Sequence, residues 1–164
     1  MWEFHHPLRP HLSNFQVNFD NKKISSNREV VFSLSPVIKN NLIRYPNYDY
    51  FLFSSNEVCK DTKLSFKNFD LKILSCLFLG LNFHIKEKNR LQLQMISNFL
   101  QIEPLTTFLT EIDEKIRSFQ NVFSESQELA ELVLLEETVF SLNENNFDYV
   151  FNFISEKSYH NKIS

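Results

Sequence analysis

The sequence predicts an α+β protein in which a small sheet is flanked by helices and followed by a short helical extension. One observation behind this prediction is a period-two alternation of apolar and polar residues near the N-terminus, which is typical of a half-buried strand. The other is the return of apolar residues at three- and four-residue spacing in later segments, which is typical of helices that bury one face. With 18 Phe and 43% apolar residues in a chain of 164, there is enough apolar surface to form a core.

The strand pattern is clearest at Phe15–Phe19, where Phe and Val alternate with Gln and Asn. Asp20 and Asn21 offer a turn before residues 22–25, so a β-hairpin is expected. Residues 48–53 are rich in aromatics and predict a further strand, whereas the polar residues 54–63 predict a loop. Residues 83–85 predict a brief extended segment.

A first helix is expected to begin at Pro36, because Ser35 offers an N-cap hydroxyl and a proline at the first helical position loses no hydrogen bond. It is expected to end before Pro46, which disfavours helical backbone at the residue that precedes it. Its buried face is predicted to carry Val37, Ile38, Leu42 and Tyr45.

The most apolar segment predicts a helix that begins behind a cap at Asn68 or Asp70 and is buried on most of its circumference. We expect this helix to form the centre of the core. Its apolar residues are Phe69, Ile73, Leu74, Leu77, Phe78 and Leu81.

Further helices are predicted from residue 87 onward. One is expected over residues 87–102, with a buried face of Leu91, Met95, Ile96 and Phe99. Another opens at Pro104, with a face of Leu105, Phe108, Leu109, Ile112 and Ile116. Residues 124–127 fit a capping box with Ser124 as N-cap, before a helix that carries Leu129, Leu132, Val133 and Leu135. Asn143 or Asn145 is expected to cap a final helix with Phe147, Val150, Phe151 and Ile154, and residues 155–164 are expected to fray.

Several of these segments resemble a BTB/POZ domain in order and in local sequence. The run into Ser35-Pro36 within residues 30–38 is similar to the family's passage from an apolar helix into Ser-Pro and a second short helix. Asn27-Arg28 stands where the family has His-Lys or His-Arg, and Phe78-Leu79-Gly80 stands where it often has Tyr-Thr-Gly. Asn89 with Leu91, and then residues 98–102, resemble its Asn-Val and Leu-Gln-Ile helix.

The resemblance divides the chain into an N-terminal segment (1–14), a BTB/POZ-like domain (15–118), a helical extension similar to a BACK-type pair (119–154) and a tail (155–164). It implies a non-catalytic protein-interaction module whose partners are proteins. It further implies self-association as a homodimer, docking as an adaptor to a cullin-type ubiquitin ligase scaffold, or both. The alternative hypothesis is a structural helical domain of a larger assembly, without the hairpin and without a ubiquitin link.

Four apolar residues before the hairpin are the candidate protein interface: Trp2, Phe4, Leu8 and Leu12. They show no helical or strand period, and they need cover from water. If residues 1–13 fold back on their own domain, the protein stays monomeric. If they cross to a second copy, they form the contact of a homodimer, and we favour the crossing.

The distribution of charge argues against a nucleic-acid partner. Residues 1–102 carry 13 Lys and Arg against 8 Asp and Glu, and residues 103–148 carry 2 against 11. The lysines of the first half are dispersed rather than gathered on a stripe. No apolar run approaches the roughly 18 residues that span a bilayer, and the opening residues lack the pattern of a secretory signal. We therefore expect no membrane association and a cytoplasmic or nuclear location.

Neither a metal, a cofactor nor catalysis is expected. His5, His6 and His11 lack cysteine or acidic ligands at the spacing of a closed site. A single glycine, Gly80, excludes a glycine-rich phosphate loop. Cys59 and Cys76 are expected to be reduced. A small enzyme is the third hypothesis, and it requires a polar pocket that collects His84 with a carboxylate or a thiol.

Overall fold

The computed structural model describes residues 1–60 and 64–125, and within them helices flank two small sheets. The predicted α+β class is confirmed, and the elements follow the order hairpin, helices, strand, apolar helix, short strand and two helices. In chain order they are β1 (Trp2–Phe4), β2 (Phe15–Phe19), β3 (Lys22–Ser26), α1 (Arg28–Leu34), α2 (Pro36–Arg44), β4 (Tyr50–Phe53), α3 (Ser55–Val58), α4 (Lys72–Leu79), β5 (Phe83–Ile85), α5 (Glu87–Leu100) and α6 (Glu103–Glu125).

The predicted hairpin is formed by β2 and β3, which pair antiparallel with Val17 opposite Ile24. Its turn residues Asp20 and Asn21 have φ values of 51° and 64°, a left-handed backbone that Asp and Asn adopt more readily than most residues. Strand β4 pairs parallel to the other side of β2, which gives the order β3-β2-β4. A parallel neighbour requires a crossover connection, and α1 and α2 supply it.

Side-chain caps begin the two crossover helices. Asn27 caps α1 by accepting from the Val30 N–H at 3.1 Å. Ser35 caps α2 as predicted, because its hydroxyl accepts from the Ile38 N–H at 3.2 Å and also donates to the Leu100 carbonyl at 2.6 Å. Helix α2 ends at Arg44, as Pro46 requires. The prediction that Tyr45 lies on the buried face is wrong: it is the C-cap residue and is 41% exposed.

The segment that follows the crossover helices α1 and α2 differs from the prediction in two places. Strand β4 begins at Tyr50 rather than at residue 48, and the predicted loop 54–63 contains the short helix α3. Ser54 caps this helix, since its hydroxyl accepts from the Glu57 N–H at 3.3 Å and donates to the Glu57 carboxylate at 3.2 Å. That serine–glutamate spacing is readable in the sequence.

Helix α4 lies at the centre of the core, as predicted. Leu74, Leu77 and Phe78 have no exposed side-chain surface. The helix begins at Lys72, whose N–H donates to the Asp70 side chain at 3.1 Å, and it ends at Gly80 in a left-handed conformation. Leu81, which was predicted to share the buried face, lies beyond this end and is 38% exposed.

The buried face of α5 is rotated from the predicted one. Leu91 is 56% exposed, whereas Leu93, Ile96 and Leu100 are fully buried. Two polar residues share the buried face because each has a hydrogen-bond partner: Asn89 accepts from the Asp70 N–H, and Ser97 donates to the Ile102 carbonyl. A prediction that assigns every polar residue to the solvent-exposed face therefore misidentifies the buried face of α5.

Helix α6 buries Leu105, Leu109 and Ile112, in agreement with its predicted stripe, while Phe108 and Ile116 are partly buried. It continues to Glu125, so the predicted helix start at Ser124 is wrong. The predicted helices that carry Leu129 to Leu135 and Phe147 to Ile154, and the tail 155–164, lie outside the described residues. None of the helices described is both long and apolar enough to cross a membrane.

Candidate protein interface

Two of the four predicted interface residues lie inside the core of their own chain. Trp2 and Phe4 are 4% and 3% exposed, and strand β1, to which they belong, pairs antiparallel with β5. The Phe4 ring lies 5.1 Å from the Phe83 ring and 5.4 Å from the Phe108 ring, measured between centroids. The two largest apolar side chains of this segment are thus covered within their own chain, and its crossing to a second copy stays a prediction.

Residues 5–14 continue from β1 across the end of α4. The His6 ring bridges two backbone groups, with Nε2 at 2.8 Å from the Leu77 carbonyl oxygen and Nδ1 at 3.0 Å from the Leu8 nitrogen. Farther along, the His11 N–H donates to the Leu79 carbonyl at 2.9 Å. The Asn27 side chain donates to the Leu12 carbonyl at 2.8 Å. The N-terminal segment is thus part of the domain rather than a separate arm.

The two remaining predicted residues differ in exposure. Leu8 is half-buried, and Leu12 is 90% exposed. Of the predicted set, Leu12 alone presents most of its side chain to solvent. The period-two burial of Trp2 and Phe4, with Glu3 between them, is a strand pattern of three residues, too short to be recognised from the sequence.

The residues considered for metal binding and catalysis are dispersed. The described residues include no group of three or more His, Cys, Asp or Glu side chains placed to hold a metal ion. The exposed His5 and His84 rings each lie 4.0 Å from the Glu3 carboxylate, and His11 lies 4.0 Å from Glu29. Two surface depressions of about 310 and 390 Å³ lie elsewhere, and neither is lined by His84.

The two thiols are free, and no hydrogen bond joins either of them to a histidine of residues 1–60 or 64–125. Cys59 is buried beside the end of α3, and Cys76 is partly buried on α4. Burial, assisted by the charge of Asp70, raises the pKa of the Cys76 thiol above its ordinary range. A raised pKa keeps this thiol protonated near neutral pH, which opposes nucleophilic reactivity.

Three stacked tyrosines form an exposed aromatic row in the described part of the chain, and the sequence patterns did not predict it. Tyr45 stacks on Tyr48 with ring centroids 5.1 Å apart at 11°, and Tyr48 stacks on Tyr50 at 5.2 Å and 10°. The three side chains are 41%, 43% and 36% exposed, and Leu52, on the same side of β4 as Tyr50, is 58% exposed. We call Tyr45, Tyr48, Tyr50 and Leu52 the tyrosine row.

Local structure sets up the tyrosine row. Tyr45 lies just past α2, Pro46 turns the chain, and Tyr50 and Leu52 lie on the open face of β4 while Phe51 and Phe53 point into the core. Arg28 holds the turn by donating to the Tyr48 carbonyl at 2.7 Å and to the Pro46 carbonyl at 3.0 Å. The Arg44 guanidinium lies 5.9 Å from the Tyr45 ring centroid. The row is therefore held in place and exposed.

Comparison with known proteins gives a distant structural likeness. No protein-family model matches the chain, and no curated protein matches it. Among solved structures, the chain is similar to the structure of the BTB (Tramtrack and Bric a brac) domain of human Gigaxonin, at 16% identity and a TM-score of 0.43. The aligned part covers 62% of this chain and 77% of that one.

Proposed function

We propose that this chain is a non-catalytic protein-interaction module that binds a partner through the tyrosine row. The observation that carries the proposal is the exposure of three stacked tyrosines and a leucine on one stretch of surface. Tyrosine and arginine are enriched at protein interfaces, where large rigid side chains bury much area at a small cost in conformational entropy. An exposed apolar patch bordered by arginines is typical of a binding surface rather than of plain solvent-facing surface.

The test is capture of partners from a lysate of the source cells by the full chain and by two matched variants. Leu52→Glu places a charge in the tyrosine row, and Leu91→Glu places the same charge on α5 at nearly equal exposure, 58% against 56%. We expect proteins that bind wild type and Leu91→Glu and are lost with Leu52→Glu, as measured by quantitative mass spectrometry. Equal recovery by both variants would place the binding surface elsewhere and refute the proposal.

Docking to a cullin-type scaffold as an adaptor is the more specific form of the proposal, and it rests on the BTB/POZ resemblance of the sequence. A cytoplasmic or nuclear location belongs to the same proposal. Size-exclusion chromatography of the full chain mixed with a cullin N-terminal domain tests it, and co-elution is the expected result. Separate elution at concentrations well above those at which known adaptors bind a cullin domain would refute the adaptor role. The general role in protein interaction would stand.

Homodimerisation is the other form implied by the resemblance. In this structure β1 completes a sheet with β5 of the same chain, so a dimer built on residues 1–13 requires that β1 leave its place. Light scattering on the full chain measures its molar mass and so distinguishes a monomer from a dimer. The alternative hypothesis, a structural helical domain, assumed that the chain has no hairpin. Strands β2 and β3 form that hairpin, so this assumption is wrong.

A further inference from the structure

Strand β4 has one side that is unoccupied within the described part of the chain. It is the outer strand of the order β3-β2-β4, and its inner side pairs with β2. The Gln16 N–H donates to the Asp49 carbonyl, and the Asp20 N–H donates to the Phe53 carbonyl. The backbone N–H and C=O groups of the odd-numbered residues of this strand therefore point toward β2. By alternation, the backbone N–H and C=O groups of Tyr50 and Leu52 point outward. Those groups are available to another strand.

Two of the features that commonly protect edge strands from pairing, proline and charged side chains, are absent from β4. Residues 50–53 contain no proline and no charged residue. The outward side chains are Tyr50 and Leu52 of the tyrosine row, which would pack beside alternate side chains of an added strand. An extended apolar segment therefore fits both the hydrogen-bonding groups and the side-chain surface of β4.

The charged residues around the edge of β4 indicate which charge a bound segment should carry. Arg28 and Arg44 border the tyrosine row, and neither guanidinium has a carboxylate within ion-pair distance among the described residues. Lys23 lies on the same open face of the sheet, across β2 from Leu52. Within residues 43–53, Arg44 and Asp49 balance each other, and Arg28 and Lys23 add two positive charges from neighbouring elements. The surface is complementary to an acidic segment.

We propose that β4 binds an extended segment of a partner protein in which apolar residues alternate and carboxylates flank them, and that this segment adds a fourth strand to the sheet. The proposal rests on the proposed function and names the chemistry of the partner. A second copy of this chain fits less well. In an antiparallel pairing of two β4 strands, the Asp49 of the mate lies at the opposite end of the strand from Arg28 and Arg44.

The test begins with selection of short random peptides displayed on phage against the full chain. We expect enrichment of peptides with alternating apolar residues and flanking Asp or Glu. A selected peptide, synthesised and labelled, should bind Leu52→Glu about tenfold or more weakly than wild type and should bind Leu91→Glu as well as wild type. Arg44→Gln, which leaves β4 unchanged, should weaken binding in low salt and have a smaller effect in high salt.

Amide hydrogen exchange separates strand addition from side-chain docking. The outward N–H groups of Tyr50 and Leu52 should exchange rapidly in the free chain and become protected with the peptide bound, while those of Phe51 and Phe53 are protected throughout. Absence of enriched acidic peptides, or binding without this protection, overturns the proposal. A wild-type dimer that Leu52→Glu dissociates and Leu91→Glu does not would assign the edge to a second copy instead. Partner capture that depends on Leu52 without peptide enrichment would leave the proposed function standing and remove this inference alone.

Discussion

At the scale of single residues, Gly80 stands where the neighbouring backbone leaves no room for a side chain. Its φ is +79°, in the left-handed region that favours glycine. A Cβ atom built on it would lie 2.3 Å from the Arg9 carbonyl oxygen and 3.0 Å from the Arg9 carbonyl carbon, both backbone atoms. The single glycine of the chain therefore ends α4 and, because it has no side chain, allows the backbone at Arg9 to pack against it.

Gly80→Ala is expected to lower the free energy of unfolding by at least about 2 kcal/mol. The energetic cost of alanine in the left-handed conformation adds to the cost of the steric clash with the Arg9 backbone. Urea unfolding followed by circular dichroism measures the change. Gly80→Asn serves as the comparison, since Asn tolerates the left-handed backbone but still carries a Cβ. An equal loss from both variants would assign the effect to the contact with Arg9. No loss from Gly80→Ala would contradict the close approach.

His6 is a second residue whose chemistry is set by the fold. Because the Leu8 N–H donates to Nδ1, Nε2 carries the proton of the neutral ring and donates it to the Leu77 carbonyl. Burial lowers the pKa of His6 below its ordinary value of about 6.5, although the Leu77 carbonyl acts in the opposite direction. A proton added at Nδ1 would face the Leu8 N–H.

Stability should therefore fall as the pH decreases from about 6.5 to the lowered pKa of His6, because in that window the unfolded chain binds a proton that the folded chain does not. Below the lowered pKa this contribution no longer changes. Urea titrations at about pH 7.5 and about pH 5.5 should show a larger loss for wild type than for His6→Gln, which cannot titrate. Equal losses would show that His6 is not the group responsible.

At the scale of elements, α4 organises the domain. Its eight residues include four that are buried, and it contacts β3, β5 and α1. The N-terminal segment crosses its C-terminal end at Leu77 and Leu79. Because one short helix is covered by so many elements, a cavity in it has little freedom to close by local shifts.

Leu77→Ala is expected to cost about 2–5 kcal/mol of unfolding free energy, since Leu77 is fully buried and its removal leaves a cavity. Leu81→Ala, one turn later and 38% exposed, should cost much less. The denaturant midpoint of each variant decides it. An unchanged midpoint for Leu77→Ala would show that α4 is peripheral and that this architecture is wrong.

At the scale of the whole molecule, the N-terminal segment closes the fold. Residues 2–4 reach β5, about eighty positions away in sequence, and the Phe4 ring also contacts Phe108 of α6. This long-range pairing joins the beginning of the chain to its second half. A segment that contributes Trp2 and Phe4 to the core is not dispensable for stability.

Deletion of residues 1–13 is expected to destabilise the chain by about 4 kcal/mol or more, because it removes two buried aromatic side chains and one strand. Thermal unfolding measures this, and Leu12→Ser is the control, since Leu12 is 90% exposed and should tolerate the change. If the deleted chain instead melts like wild type and only changes from dimer to monomer, the segment acts between copies and the cis pairing of β1 is not the solution structure.

What the sequence determined by itself is the set of features that local chemistry encodes. The hairpin follows from alternation and from two residues that tolerate a left-handed turn. The start of α2 follows from a serine cap and a proline. Leu74, Leu77 and Phe78 were recognisable as core because α4 is apolar on most faces, so no choice of buried face was needed.

Only the tertiary structure decided which apolar residues are covered and by what. Leu91 and Tyr45 lie on apolar stripes yet are exposed, while Asn89 and Ser97 are buried because partners on other segments satisfy them. Strand β1 pairs with β5, and the Phe4 ring lies against Phe108 of α6. Tyr45, Tyr48 and Tyr50 come together through a turn that Arg28 holds. Burial and exposure depend on residues distant in sequence, and local periodicity carries no information about those neighbours.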